Sequence, residues 1–223
     1  MEEILVFGNG NISKIISNYL EKNYNIVAYV SLKKYISSKK FNNKPLYSIE
    51  KIKKIFSPKK YKFITAIGYL QMNSVRKSIH KLIKSKGYKF INFVDETVNI
   101  PSSVKIGENN IFLDNVSINP ETVIGSGNIF WSNSVISHNV KIKDFNWISS
   151  GSVISGETTV GSCNFFGSNS TTSNNSLICN STFIGGGTLI SGKILNYSTI
   201  INSKSKRLKI KSNDFLRYLK NER

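Results

Sequence analysis

"NVSINPETVIGSGNIFWSNSVISHNVKIKDFNWISSGSVI", residues 115–154, returns to the same pattern every six positions. Counting back in sixes from Ile118 reaches Phe112, Ile106 and Ile100. Counting forward reaches Ile124, Phe130, Ile136, Ile142, Ile148, Ile154, Val160, Phe166, Ile178, Ile184 and Ile190, with Thr172 the one polar interruption. The position after each apolar residue is mostly small (Gly107, Gly125, Ser137, Ser149, Gly161, Gly167), which permits tight corners. The position two before it is often small or β-branched (Val104, Val116, Thr122, Ser134, Val140, Thr158), which suits a cramped interior and strand geometry. A six-residue period is the signature of a β-solenoid. Each hexapeptide forms one flat side, three sides make a coil of 18 residues, and the apolar residue points inward. The register has no insertion, so the prism is expected to be smooth-sided.

Upstream the period changes. "EILVFG" (3–8), "NIVAYV" (25–30), "YKFITAIG" (61–68) and "YKFINFV" (88–94) read as short buried strands. "NISKIISNYLEKN" (11–23), "SIEKIKKIF" (48–56) and "MNSVRKSIHKLIKSKG" (72–87) carry apolar residues at helical spacing. Strand–helix alternation with short links predicts a small Rossmann-like parallel α/β sheet covered by helices. The chain therefore divides into an α/β domain at 1–95, a solenoid at 96–203 and a basic tail at 204–223. In the tail, Ser212 or Asn213 is placed to cap a short helix carrying Phe215, Leu216 and Leu219.

The 223 residues show no secretory leader and no apolar run long enough to span a bilayer. Cys163 and Cys179 have no metal-site spacing and read as free thiols of a reducing cytoplasm. The formal net charge of +18 favours polyanionic partners, or else reflects a composition rich in Lys, Asn, Ile and Ser together. No helix-turn-helix, zinc finger or RNP aromatic motif supports nucleic acid binding.

The chain has two histidines. His80 lies in the lysine-rich helical stretch, whereas His138, in "SVISHNVKI", is the only imidazole of the repeat. That stretch, the opening "ILVFGNGNISKII" and "AIGYLQMNSVRKSIHKLIKSKGYKFINFV" together resemble the hexapeptide-repeat sugar acyltransferases of the sialic acid, bacillosamine and perosamine acetyltransferase type. The resemblance implies a left-handed parallel β-helix, a homotrimer, acyl-CoA (most simply acetyl-CoA) as co-substrate with no bound cofactor or metal, and a sugar or nucleotide-linked sugar as acceptor. It implies His138 as general base, since imidazole titrates near the working pH. It further implies acyl-CoA contacts from Trp147, Gly156, Gly167 and Gly186, and sugar or nucleotide contacts from Gly8, Asn9, Gly10, Asn11, Ile12, Gly68 and Tyr69, while the charge of the tail places Lys206 and Arg207 either on the phosphates of the acyl-CoA or in solvent.

Three departures from the family pattern stand out. Relatives often carry an acid after the histidine and a second histidine nine residues on; here Asn139 and Trp147 stand in those places. No acid follows the second strand, where Ser31 stands instead. The 18-residue coil suggests a substitute acid, because Glu121 and Glu157 fall one coil before and after Asn139, and Gly156 falls beside His138 with room for substrate. Trp131, Phe145, Trp147 and Phe165 lie off the inward row and are expected to mark the trimer interface. The rival expectation is a non-catalytic trimeric scaffold or sugar-binding protein. A metal hydratase on the same fold needs three histidine ligands where the repeat offers one.

Overall fold

The computed structural model describes residues 1–205, 207, 209–212, 214 and 215. Strands β1 (Glu2–Phe7), β2 (Tyr24–Ser31), β3 (Lys40–Phe41), β4 (Lys44–Ser48) and β5 (Lys62–Thr65) form one sheet in the order β3-β4-β2-β1-β5. It is parallel except for β3, which pairs antiparallel with β4. Helices α1 (Asn11–Leu20) and α2 (Ser74–Ser85) pack on it. Ile16 and Leu20 of α1 and Ile79 and Ile83 of α2, spaced a helical turn apart, are the apolar side chains these helices bury.

Two local expectations fail, and one hairpin comes in addition. The stretch 48–56 makes only a 3-10 turn at Ile52–Lys54: Ile49 and Ile52, three apart, are its buried residues, and one turn suffices to bury both. The β3–β4 hairpin was unforeseen. Its turn is Asn42-Asn43, both at positive φ (46° and 62°), the geometry that tight hairpins require and asparagine tolerates. The stretch 88–94 is not a strand of the α/β sheet. Phe90 makes one bridge to Phe63, and Phe93–Val94 instead pair with Ile111–Phe112 and open the prism. Phe93 stands 18 residues before Ile111, so it already follows the coil period.

From there the chain stacks parallel two-residue strands in three sheets of six, seven and five. Each strand pairs with the one 18 residues on, as in Val135↔Val153 and Lys141↔Thr159. At the far end Leu177 pairs with Lys193, so the last coil is two residues shorter. The inward row is buried to 4% exposure or less from Ile118 to Ile190. Each such aliphatic side chain stabilises the prism by roughly 1.5–3 kcal/mol. Thr172 is buried too: its hydroxyl accepts the Ser155 N–H at 2.9 Å and meets the Thr158 hydroxyl at 3.3 Å, so the one polar break in the row is satisfied.

The asparagines have a physical task. Asn109, Asn115, Asn133, Asn139, Asn169 and Asn175 all turn coil corners with φ between 56° and 61°. Asparagine enters this left-handed region more cheaply than most residues. Inside one edge, Asn92, Asn110, Asn128, Asn146 and Asn164 form a ladder. Each side-chain oxygen accepts the backbone N–H of the next coil at 2.7–2.9 Å, ending on Thr182. The composition therefore follows the fold at these positions, although the 18-residue spacing of these asparagines was legible and went unread.

Candidate active site

The three sides of the prism are not equivalent. The side whose outward residues are Phe93, Ile111, Ile129, Trp147, Phe165 and Phe183 lies under the α/β domain. Trp147 is 4% exposed and is enclosed by Tyr69 (ring centroids 5.2 Å), Trp131 (5.3 Å) and the Arg76 guanidinium (5.9 Å). Trp147 thus holds the two domains together and offers no surface to an acyl-CoA. Trp131 and Phe165 are half-buried and Phe145 is buried in the same seam, so these aromatics mark a contact within the chain and are no signal of a trimer.

Sequence reasoning missed the polar part of this seam. Arg76 of α2 is fully buried. It donates to the carbonyls of Gly127 and Asn146 and to Asn73 Oδ1, and burial pulls its pKa down to about 9. Asn109 Oδ1 accepts the Thr65 N–H at 2.9 Å, which fixes its amide orientation. Its Nδ2 therefore donates to Nδ1 of His80 at 3.1 Å. His80 is then neutral, with its proton on Nε2 facing Glu108 Oε1 at 3.4 Å. Burial lowers the His80 pKa, and the nearby Glu108 carboxylate only partly offsets it.

The corner opposite in character carries His138. It follows Val135–Ile136 and precedes Lys141–Ile142, and its side chain is exposed. Its Nδ1 lies 3.2 Å from the Asn139 amide. Gly156 is buried directly beneath the ring: a Cβ there would sit 2.8 Å from Nε2 and 2.9 Å from Cε1. The glycine makes room for the imidazole itself, a tighter role than the expected one of admitting substrate.

Glu121, Asn139, Glu157 and Asn175 form one column at φ 57–60° along this corner. The coils are tied by backbone bonds from Asn139 to Pro120, Glu157 to His138 and Asn175 to Gly156. With Lys141 and Thr159 the column lines a cleft of about 380 Å³. Neither carboxylate bonds to the imidazole or to any other side chain among the described residues; the ring's one side-chain partner is Asn139.

The remaining acyl-CoA candidates do not gather here. Gly167 and Gly186 pack on each other at the corner between the covered side and the next, where a Cβ on Gly167 would meet the Gly186 nitrogen at 2.5 Å. Arg207 is exposed on the tail beside Lys209 and Lys211, and Lys206 lies outside the described residues. Of the proposed tail helix, Asp214 and Phe215 bond back to Lys211, and Asn213, Leu216 and Leu219 are outside the described residues.

A second hollow, of about 470 Å³, opens at the N-terminus of α1. Gly8 to Ile12 and Gly68 line it, whereas Tyr69 turns away onto Trp147 and Phe165. Gly8 has φ 141°, and a Cβ there would strike the Ala66 carbonyl at 2.5 Å, so glycine is required where β1 meets the end of β5. α1 has no side-chain cap and no acid in its first turn, which leaves its N–H groups to an anion. Asn9 is held by Tyr35 O at 2.7 Å and the Ser31 hydroxyl at 3.0 Å, so Ser31 shapes this loop in place of the expected acid. Among the described residues no group of three His, Cys, Asp or Glu side chains is placed to hold a metal, and no helix is long and apolar enough to cross a membrane.

Residues 3–83 match the PglD N-terminal domain, and residues 103–138 match the bacterial transferase hexapeptide (six repeats). The chain thus carries a PglD N-terminal domain followed by hexapeptide repeats. The acetyltransferase domain of PglB from Neisseria gonorrhoeae FA1090 superposes with a TM-score of 0.80 at 19% identity, over 93% of this chain and 100% of that one. The same domain in complex with acetyl coenzyme A gives 0.77 at 19%, over 93% and 99%. PerB from Caulobacter crescentus, in complex with CoA and GDP-perosamine, gives 0.80 at 19%, over 91% and 95%. The likeness establishes the fold: a Rossmann-like domain followed by a left-handed parallel β-helix.

Proposed function

We propose that this protein transfers an acetyl group from acetyl-CoA to an amine or hydroxyl of a nucleotide-linked sugar, with His138 as general base. The observation that carries this is the His138 corner: an exposed imidazole over a buried glycine, with Nδ1 engaged by Asn139 and Nε2 left to a ligand. For Nε2 to accept a proton, Nδ1 must carry one, and Asn139 must turn its amide oxygen toward it. Amide oxygen and nitrogen exchange by a simple flip. The acceptor then attacks the thioester carbonyl as Nε2 takes its proton. The new C–N or C–O bond forms, the C–S bond breaks, and the proton passes to the departing CoA sulfur.

The hollow at α1 suits the diphosphate of a nucleotide-sugar, because free helix N–H groups attract anions. Neighbours of the same fold that bind acetyl coenzyme A, or CoA with GDP-perosamine, support this division of labour. We further propose a homotrimer, now on a different ground from the seam aromatics. The two uncovered sides flanking His138 present Val123, Leu177 and Leu189 outward, at 43%, 36% and 71% exposure. Free Cys163 and Cys179 accord with a cytoplasmic setting.

Mass spectrometry of a panel of nucleotide-linked amino- and hydroxy-sugars incubated with acetyl-CoA tests the activity. Wild type should acetylate one acceptor and His138→Ala should not. Turnover of none of them by wild type would favour the sugar-binding scaffold that Asn139, in place of an acid, also accommodates. A single-chain mass by light scattering at micromolar concentration would sink the trimer.

A further inference from the structure

The charge of this chain is unevenly distributed. Residues 1–95 carry 19 Lys and Arg against 5 Asp and Glu, while residues 96–203 carry 4 against 6. A general drift toward lysine would have loaded the exposed sides of the prism as well. Residues 33–62 alone hold 11 lysines against a single acid, Glu50.

The fold gathers part of that stretch on one edge. β2 and β4 are parallel neighbours with Ser31 opposite Ser48, and the Ile49 N–H donates to Ser31 O at 2.9 Å. The chain therefore leaves both strands side by side and makes two 3-10 turns, Lys33–Tyr35 and Ile52–Lys54. Lys33, Lys34, Lys51, Lys53 and Lys54 are exposed, and none is in an ion pair among the described residues. Among them stand Tyr35 and Ile55, 58% and 46% exposed, although the neighbouring Ile49 and Ile52 are at 1% or less.

We propose that this edge docks on an anionic lipid surface. Lysines near such a surface gain from its negative potential, each by roughly fivefold in affinity. Tyrosine and isoleucine at turn tips enter the headgroup layer, where an amphipathic ring and an apolar side chain are both favoured. A nucleic acid would use the same lysines but would give an exposed isoleucine no apolar environment, so a bilayer fits better. Leu32 and Tyr35 also line the α1 hollow, so docking turns its mouth toward the headgroups. The docking does not depend on the acetyl-transfer chemistry.

The test is sedimentation of the full chain with phosphatidylcholine vesicles, with and without about one third phosphatidylserine, at roughly 0.1 M salt. Wild type should be retained only with phosphatidylserine. Lys33→Gln, Lys34→Gln, Lys53→Gln and Lys54→Gln together should weaken retention by roughly 10²-fold or more. Tyr35→Ser with Ile55→Ser should weaken it by roughly tenfold. Lys105→Gln with Lys193→Gln on the prism should leave it unchanged, with circular dichroism confirming the fold of every variant. No retention, equal retention on phosphatidylcholine alone, or indifference to the four-lysine variant would each overturn the proposal. Sensitivity to the lysines without sensitivity to Tyr35 and Ile55 would reduce it to plain polyanion attraction and overturn it too.

Discussion

Two parts of one 18-residue repeat have been put to opposite uses. The side under the α/β domain is filled: Ile111, Ile129 and Trp147 are buried, and Arg76 and His80 of α2 find partners on the coils below. The corner at His138 is emptied: a glycine underlies the ring, and the carboxylates of two glutamates nearby bond to no side chain among the described residues. A buried polar group without a partner is costly, so most of the polar atoms there are paired, as Arg76 is with the Gly127 and Asn146 carbonyls and His80 with Asn109, although Arg76 Nε and Trp131 Nε1 have no partner among the described residues. An exposed corner pays no such cost, so its polar atoms can stay free for a ligand.

The sharpest test of this contrast sets His138 against Trp147. His138→Ala should lower kcat by ~10²–10⁴-fold, the span for loss of a general base, and leave the melting temperature unchanged because the side chain is exposed. Trp147→Ala should do the reverse. It should cost about 3–5 kcal/mol of stability by opening a cavity in the seam, seen in urea unfolding, and leave the KM for acetyl-CoA within about twofold at temperatures where it is folded. A raised KM without lost stability would restore Trp147 to the acyl-CoA site.

Gly156→Ala probes the corner more gently. The added Cβ must displace the imidazole, whose far end can swing into solvent, so the fold survives. A catalytic group misplaced by about 1 Å costs on the order of 10²-fold in kcat. Unchanged kcat would mean that the ring position seen here is not the working one.

Acid should act on the seam before it acts on the prism. Native His80 has its pKa lowered, by burial, below that of the unfolded chain, whose histidine titrates near ~6.5. The unfolded state therefore binds its proton first. The stability due to neutral His80 is complete above the unfolded value and is lost as pH falls through the folded one. Protonation also places a hydrogen on Nδ1, against the Asn109 amide that donates to it. Melting curves from pH 8 to pH 5 should fall more steeply for wild type than for His80→Gln; parallel curves would remove His80 from the account.

The smallest effect is expected at Asn139→Asp. A carboxylate beside the ring favours the imidazolium, so the acidic limb of kcat/KM should move to higher pH, with kcat changed by less than about tenfold. Glu121→Gln and Glu157→Gln should leave that limb in place, because neither carboxylate touches the ring. Movement of the limb in either variant would show that a displaced acid does assist.

How much of this could be read beforehand differs by region for a physical reason. The inward row from Ile100 to Ile190 was legible because each coil repeats the same local requirement: one apolar residue inward, small residues at the corner. His138 was legible as a chemical exception within that monotony. Where a residue's surroundings come from distant chain, the pattern was silent or misleading. Trp147 has the spacing of an exposed side and is 4% exposed only because α2 and Tyr69 close over it. Glu121 and Glu157 were correctly placed in a column with Asn139, but register says nothing of side-chain direction, and the carboxylates do not reach the imidazole.

By itself, then, the sequence determined the period, the prism, the α/β domain ahead of it and the single imidazole. A six-residue repeat is blind to which of its three sides is covered, since all three present the same inward row. Only the tertiary structure decided that, through α2: the buried Arg76 and the neutral His80 have hydrogen-bond partners on one side of the prism, which leaves the His138 corner open.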